Sequence, residues 1–203
     1  MATVRRAKPE DVHAVVDALG RALADDPFVL WLMRPGAGEA GRRAYVQLML
    51  ERIAMRRGVA DVAFDDGVVV GAALWAPPNT FELGLFETFA LLPAIVRVVG
   101  VGRLGTVADV LGRVEADRPP GRRWLLTLIG TVPEGRKRGV GGALMNRGLR
   151  RCDADRAQVV LETTHAPNLQ FYERFGFRVT TERALGPDGP SSWTLVRPPG
   201  AEF

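Results

Sequence analysis

Arg136, Lys137 and Arg138 run straight into a glycine cluster, Gly139, Gly141 and Gly142, and an apolar Ala143-Leu144-Met145 follows. Cations, bare backbone and a helix start coincide at one point. First-turn amides of a helix have no partner within it, and the helix dipole makes that end positive. Glycine lets backbone approach a ligand closely and accepts positive φ. Such a turn suits a phosphate or pyrophosphate. Two common phosphate loops do not fit. The P-loop needs Lys-Ser/Thr at its end, and Gly142 is followed by Ala143 and Leu144. The dinucleotide fingerprint needs a third glycine where Leu144 and Met145 stand. A glycine-rich turn with solvated cations is the plainer alternative at this stage.

Other residues capable of chemistry are few. Cys152 is the single cysteine, so there is no internal disulfide, and a reducing, cytoplasmic setting is the expectation. It falls inside the helix after the glycine loop with no base placed beside it, and is expected to be structural. His13 and His165 are the only histidines, which excludes a histidine-rich metal site. Glu162 closes the apolar run VVLET, and Tyr172 lies in NLQFYERFGF.

The elements around these residues alternate. A short strand is expected near Val4 to Ala7, then a helix from about 11 to 24 carrying Val12, Val15, Val16, Leu19 and Leu23 on one face. DPFVLWLMRPG suggests a short helix or turn, and residues 42–57 repeat apolar residues at helical spacing. VADVAFDDGVVVGAALWA predicts two strands joined at Asp66-Gly67, a hairpin turn pair. Residues 80–116 form three helix-like pieces broken by Pro93 and by the glycines from 100 to 105. WLLTLIGTV is a buried strand, 139 to about 155 is helical, AQVVLET is a strand and 168–175 a short helix. FRVTTERAL and SSWTLVR close the chain as a strand pair around Gly-Pro-Asp-Gly-Pro. The strand–helix–strand passage from WLLTLIGTV to VVLET implies parallel pairing. The architecture is mixed α/β, one domain over 1–203 with a helical insertion at 80–116.

Composition bounds the rest. The apolar fraction is 47% of 203 residues, enough for a core, and the formal charge is +4. A basic balance admits nucleic acid, anionic membrane or a phosphate-bearing ligand. The cations form no long tail, and aromatic residues do not interleave with exposed cations as a polynucleotide groove would need. LGLFETFALLPAIVRVVGVG is interrupted by Glu87, Pro93 and Arg97, so buried helices rather than a membrane span are expected. The N-terminus lacks the apolar stretch of a secretory signal.

The pattern Arg136-x-x-Gly139-x-Gly141, continued by Gly142-Ala143-Leu144, resembles the acetyl-CoA pyrophosphate loop of the GCN5-related N-acetyltransferases, the GNAT family. The family's second mark, Tyr-x-x-x-Gly-Phe, stands as Tyr172, Gly176 and Phe177. From WLLTLIG to SSWTLVRPP the chain looks closest to the antibiotic-modifying branch that includes puromycin N-acetyltransferase. The resemblance implies a mixed central sheet with flanking helices and acetyl-CoA as co-substrate. It implies that Ile129, Gly130 and Thr131 offer backbone groups to the pantetheine arm. The loop of Arg136, Lys137, Arg138, Gly139, Val140, Gly141 and Gly142 would hold the pyrophosphate. Tyr172 matches the tyrosine that protonates the departing thiolate, and Glu162 a strand glutamate that serves some relatives as general base through water. Many members carry an asparagine seven residues before the tyrosine. Here that position is His165, and Asn168, four before, is carried over as the cofactor contact.

The implied reaction is direct attack by a neutral amine on the thioester, with a base, an oxyanion site and an acid for the thiolate. The acceptor implied is a small-molecule primary amine, antibiotic-like or metabolite. An acidic pocket for it could draw on Glu82, Glu87 and Glu115, walled by the 80–116 insertion. Alternatives stay open: an acyl-CoA sensor without turnover, or transfer to protein N-termini or lysines. Tyr172 could be a packing residue, Glu162 a salt-bridge partner and His165 a plain loop residue. Phe81, Phe86 and Phe89 are expected in the core, Trp75 and Trp124 in core or pocket lining, and Gly176 at a left-handed helix exit. A homodimer is compatible with the sequence.

Overall fold

The computed structural model describes residues 2–80, 85–186 and 188–201, without the side chains of residues 52, 53 and 85–90. Its frame is a seven-stranded sheet in the order β1-β2-β3-β4-β5-β7-β6. The strands are β1 (Thr3–Arg6), β2 (Val59–Asp65), β3 (Val68–Ala76), β4 (Arg123–Thr131), β5 (Gln158–Thr163), β6 (Arg178–Ala184) and β7 (Ser191–Arg197). Neighbours pair antiparallel except β4 and β5, the parallel pair that the crossover demands. The β2–β3 hairpin turns on Asp66 and Gly67, both at positive φ, 50° and 78°. That is the geometry for which an Asp-Gly pair is suited.

Two apolar cores lie on opposite faces of the sheet. Ala72 and Leu74 of β3 face one, with α1 (Val12–Ala22), α2 (Pro27–Leu32), α3 (Gly38–Gln47), α4 (Leu85–Val99) and α5 (Leu104–Asp117). Ala73 and Trp75 face the other, against α6 (Val140–Ala154) and α7 (Leu169–Glu173). Strict alternation along β3 makes this two-sided burial possible.

Three expectations need correction. The stretch 42–57 is not one regular helix: α3 starts earlier, at Gly38, and Leu48–Ala54 continues it as a π-helical segment. Apolar spacing does not distinguish a π turn from an α turn. Pro93 does not break its helix, because α4 runs through it. Proline in a helix costs about 3 kcal/mol, but Leu91, Val98 and Val99 of α4 are buried, each contributing roughly 1.5–3 kcal/mol. Gly105 lies within α5, so the break is confined to Gly100 and a 3-10 turn at Val101–Arg103. Among the described residues no single helix is long and apolar enough to cross a membrane. Phe81 and Glu82 lie outside the described residues, as do the side chains of Phe86, Glu87 and Phe89.

Candidate active site

The β4–β5 ladder stops at Leu126 opposite Leu161, whereas β4 runs on to Thr131 against β3 alone. A bulge starts the divergence. Trp75 pairs with Leu126 and Leu74 with Leu128, which leaves Thr127 extra, and its hydroxyl donates to the Leu74 carbonyl at 3.0 Å. The bulge also swaps faces: Trp124 and Leu126 enter one core and Leu128 the other. Beyond it, Ile129, Gly130 and Thr131 pair with Ala73, Ala72 and Gly71 on one edge, and among the described residues no strand lies beside their other edge. Backbone groups there need a partner from outside the sheet. Gly130 itself is explained by packing, since an added Cβ would lie 2.8 Å from Ala22 Cβ and 3.0 Å from Leu19 Cδ2.

The cationic glycine loop follows. A 3-10 turn at Pro133–Gly135 leads into Lys137 at φ 61° and Gly139 at φ 79°, both left-handed, and Gly139 caps α6. Ala143 N–H donates to the Gly139 carbonyl at 3.0 Å. The amides of residues 137–142, six in a row, donate to no carbonyl or side chain among the described residues. Alternating hand at the end of a helix turns such amides into a concave, positive nest. The cations are exposed around it. Arg136 reaches Asp25 at 3.5 Å and Arg138 reaches Asp65 at 2.7 Å, while Lys137 makes no ion pair among the described residues. Val140 is buried and anchors the turn. Cβ atoms at Gly141 and Gly142 would make ordinary contact with Phe171 at 3.4 Å and Phe175 at 3.9 Å, so packing does not require glycine at either position.

A cavity of about 360 Å³ opens where the strands part. Leu126 to Ile129, Glu162, Asn168 and Tyr172 line it, together with apolar residues of α2, the π-helical segment, α4 and α5, among them Val29, Met49, Ile95 and Leu111. Tyr172 is buried beside Phe171 and Phe177, and burial, with the charge of Asp26, pushes its hydroxyl well above the ordinary phenol range. It therefore holds its proton. Asn168 reaches the cavity, and His165 is not among the lining residues; its carbonyl accepts from the Asn168 amide at 2.9 Å. Glu162 is an ion-pair partner: Arg118 donates from Nε to Oε1 at 2.7 Å and from Nη2 to Oε2 at 3.1 Å. Burial opposes the Arg118 charge, but bonds and charges from Glu162 and Glu115 outweigh it and raise its pKa. Glu115 lies off the cavity, tied to Arg118 and Arg123. Trp75 and Trp124 are core, Cys152 is buried with its thiol pushed up to about 12, and Gly176 exits α7 at φ 81°.

Sequence reasoning missed Asp26, Arg118 and Tyr45, which also line the cavity. Asp26 caps α2, accepting from Val29 N–H at 2.9 Å, with Pro27 behind it. Asp-Pro was legible as a helix start, but its cavity position depends on α2 docking at the end of β5. There Phe28 N–H donates to Thr164 Oγ1 at 3.1 Å.

Residues 94–179 match the family model described as acetyltransferase (GNAT) domain. Over its whole length the chain is similar to a histone acetyltransferase HPA2 and related acetyltransferase from Corynebacterium glutamicum, with 29% identity and a TM-score of 0.76, covering 100% of this chain and 98% of that one. Arylalkylamine N-acetyltransferase 2 from Aedes aegypti shares the fold at 14% identity and TM-score 0.69, covering 97% and 98%. So does the Drosophila melanogaster polyamine N acetyltransferase, at 17% and 0.59, covering 98% and 100%. Residues 94–179 thus resemble a GNAT acetyltransferase domain, and the splayed β4–β5 pair and the amide nest lie in a fold that the chain shares with these acetyltransferases.

Proposed function

We propose that the protein transfers the acetyl group of acetyl-CoA to the primary amine of a small molecule. The observation that carries the reading is the run of free amides at residues 137–142, with Lys137 and Gly139 in the left-handed region. Oriented N–H groups and the α6 dipole suit a pyrophosphate. From there the open edge of β4, at Ile129, Gly130 and Thr131, leads toward the cavity that Asn168 and Tyr172 line. Its unpaired N–H groups suit the pantetheine amides and the oxyanion that forms at the thioester carbon. Tyr172 lines the cavity and keeps its proton, which supports it as the acid for the departing thiolate. Glu162 holds Arg118 with both oxygens, so a base role through water would require that pair to open. The named substrates of the fold relatives, arylalkylamines and polyamines, support a small amine. The resemblance to the puromycin-acetylating branch adds antibiotic amines to that range.

Calorimetric titration with acetyl-CoA, with CoA and ATP as comparators, tests the reading. Acetyl-CoA is expected to bind in the micromolar range and more tightly than ATP. Gly139→Glu places a strained side chain and a negative charge over the nest, and should weaken binding by about tenfold or more. Normal binding by that variant would remove the loop from the cofactor site.

A further inference from the structure

The cavity beside the acetyl-transfer site is unevenly charged. Its charged lining residues are Asp26, Arg118 and Glu162, and the last two engage each other. Asp26 forms no ion pair among the described residues. It accepts the Val29 amide, and burial raises its carboxyl pKa while nearby His165 and Asp25 pull in opposite directions. Tyr45 and Tyr172 both feel its charge. Most of the remaining wall is hydrocarbon from α2 to α5, and the neutral polar groups of Tyr45, Thr127, Thr164, Asn168 and Tyr172 are set into the rest. One uncompensated carboxylate in an apolar cavity is costly until a cation meets it.

We propose that Asp26 receives the ammonium group of the acceptor, and that the acceptor is a primary amine with one positive charge and a bulky apolar, aryl-alkyl type body lying against α4 and α5. This rests on the acetyltransferase reading and names its substrate class. The volume, about 360 Å³, is in the range of small-molecule pockets. A polyamine fits badly, because a second cation would find no second free carboxylate among the described lining residues. Pairing in a low-dielectric site also prepares the amine. Burial lowers the pKa of the ammonium and raises that of the carboxyl, which favours the neutral pair. The N–H bond breaks, the Asp26 oxygen takes the proton, and the freed lone pair faces the thioester.

The test compares binding of phenylbutylamine, the isosteric phenylbutanol and putrescine to the wild type and to Asp26→Asn, by calorimetry in the presence of CoA. Asparagine keeps the cap on α2, so shape is preserved and only charge is removed. The wild type should prefer phenylbutylamine over the alcohol by about tenfold or more, and Asp26→Asn should reduce that preference to about threefold or less. Its CoA affinity should stay unchanged, and kcat/KM for phenylbutylamine acetylation should fall with the lost preference. Equal binding of amine and alcohol by the wild type overturns the assignment, as does a preference that survives in the variant or tighter binding of putrescine. Loss of CoA binding by the wild type would instead refute the acetyltransferase reading, while the amine-to-alcohol ratio still reports on Asp26.

Discussion

Tyr172 is the acid of the proposed reaction. It is buried in an aromatic cluster, so its ring has a packing role whatever its hydroxyl does. Phenylalanine keeps the ring and removes only the proton donor. Tyr172→Phe is expected to lower turnover about tenfold or more, the range of a lost general acid, with acetyl-CoA affinity within a few-fold of wild type. Steady-state kinetics beside calorimetry separate the two. Turnover that does not change would mean the thiolate leaves unassisted or takes its proton elsewhere, leaving Tyr172 as packing. Burial keeps the hydroxyl protonated across the physiological range, so the proton is available, while the raised pKa makes it a weaker acid toward a thiolate and limits the gain it can give.

At the scale of elements, sequence reasoning succeeded where a local rule was enough. The Asp66-Gly67 hairpin, the parallel β4–α6–β5 passage and the left-handed exit at Gly176 each follow from turn chemistry or periodicity within a short window. It failed where distant elements set the outcome. Apolar spacing does not tell the π-helical Leu48–Ala54 from an α turn, the passage through Pro93 follows from burial of α4, and the Arg118–Glu162 pair joins residues 44 apart in sequence. Asp11 shows a local device with a distant consequence. Its carboxylate accepts from Arg5 Nη1 at 2.6 Å and Nη2 at 2.9 Å and from Lys8 N–H at 2.7 Å, tying β1 to the start of α1. The Arg5 hydrogen bonds hold the carboxyl below its usual range against the opposing effect of burial. A depressed folded-state pKa gives stability that is present above the unfolded value and lost as pH falls through the folded one. Asp11→Ala should therefore cost about 1–2 kcal/mol near neutral pH, tempered by the partial exposure of Arg5. The gap from wild type should narrow as pH drops below about 4. Denaturant melts across that range measure it, and a gap independent of pH would show that the cap rather than the charge stabilises.

For the molecule as a whole, the site is a consequence of how α6 lies on the sheet. The nest is the first turn of α6, so the helix position fixes where the free amides point. Asp61, fully buried on β2, grips α6 through Arg147 at 2.9 Å and Arg151 at 2.7 Å. Gly148 sets the depth of the helix. A Cβ there would fall 2.0 Å from Trp75 Cζ2 and 2.3 Å from Cε2, and Trp75 is itself fully buried. The indole cannot swing aside, so α6 must rise off β3. Overpacking of this kind costs about 1–3 kcal/mol and more where relaxation is blocked. For a chain of this size that corresponds to a Tm loss of roughly 2–12 °C. Gly112→Ala on α5 is the matched control, since nothing lies within 4 Å of its Cβ; there alanine should be neutral or stabilise by about 0.4–1 kcal/mol. If α6 carries the nest, Gly148→Ala should also weaken acetyl-CoA binding, although residue 148 lies more than a turn beyond the end of the loop, while Gly112→Ala leaves it unchanged. Calorimetry below the melting range reads this directly. A Gly148→Ala protein that melts lower yet binds acetyl-CoA as tightly as wild type would show that the loop keeps its shape without the helix that follows it.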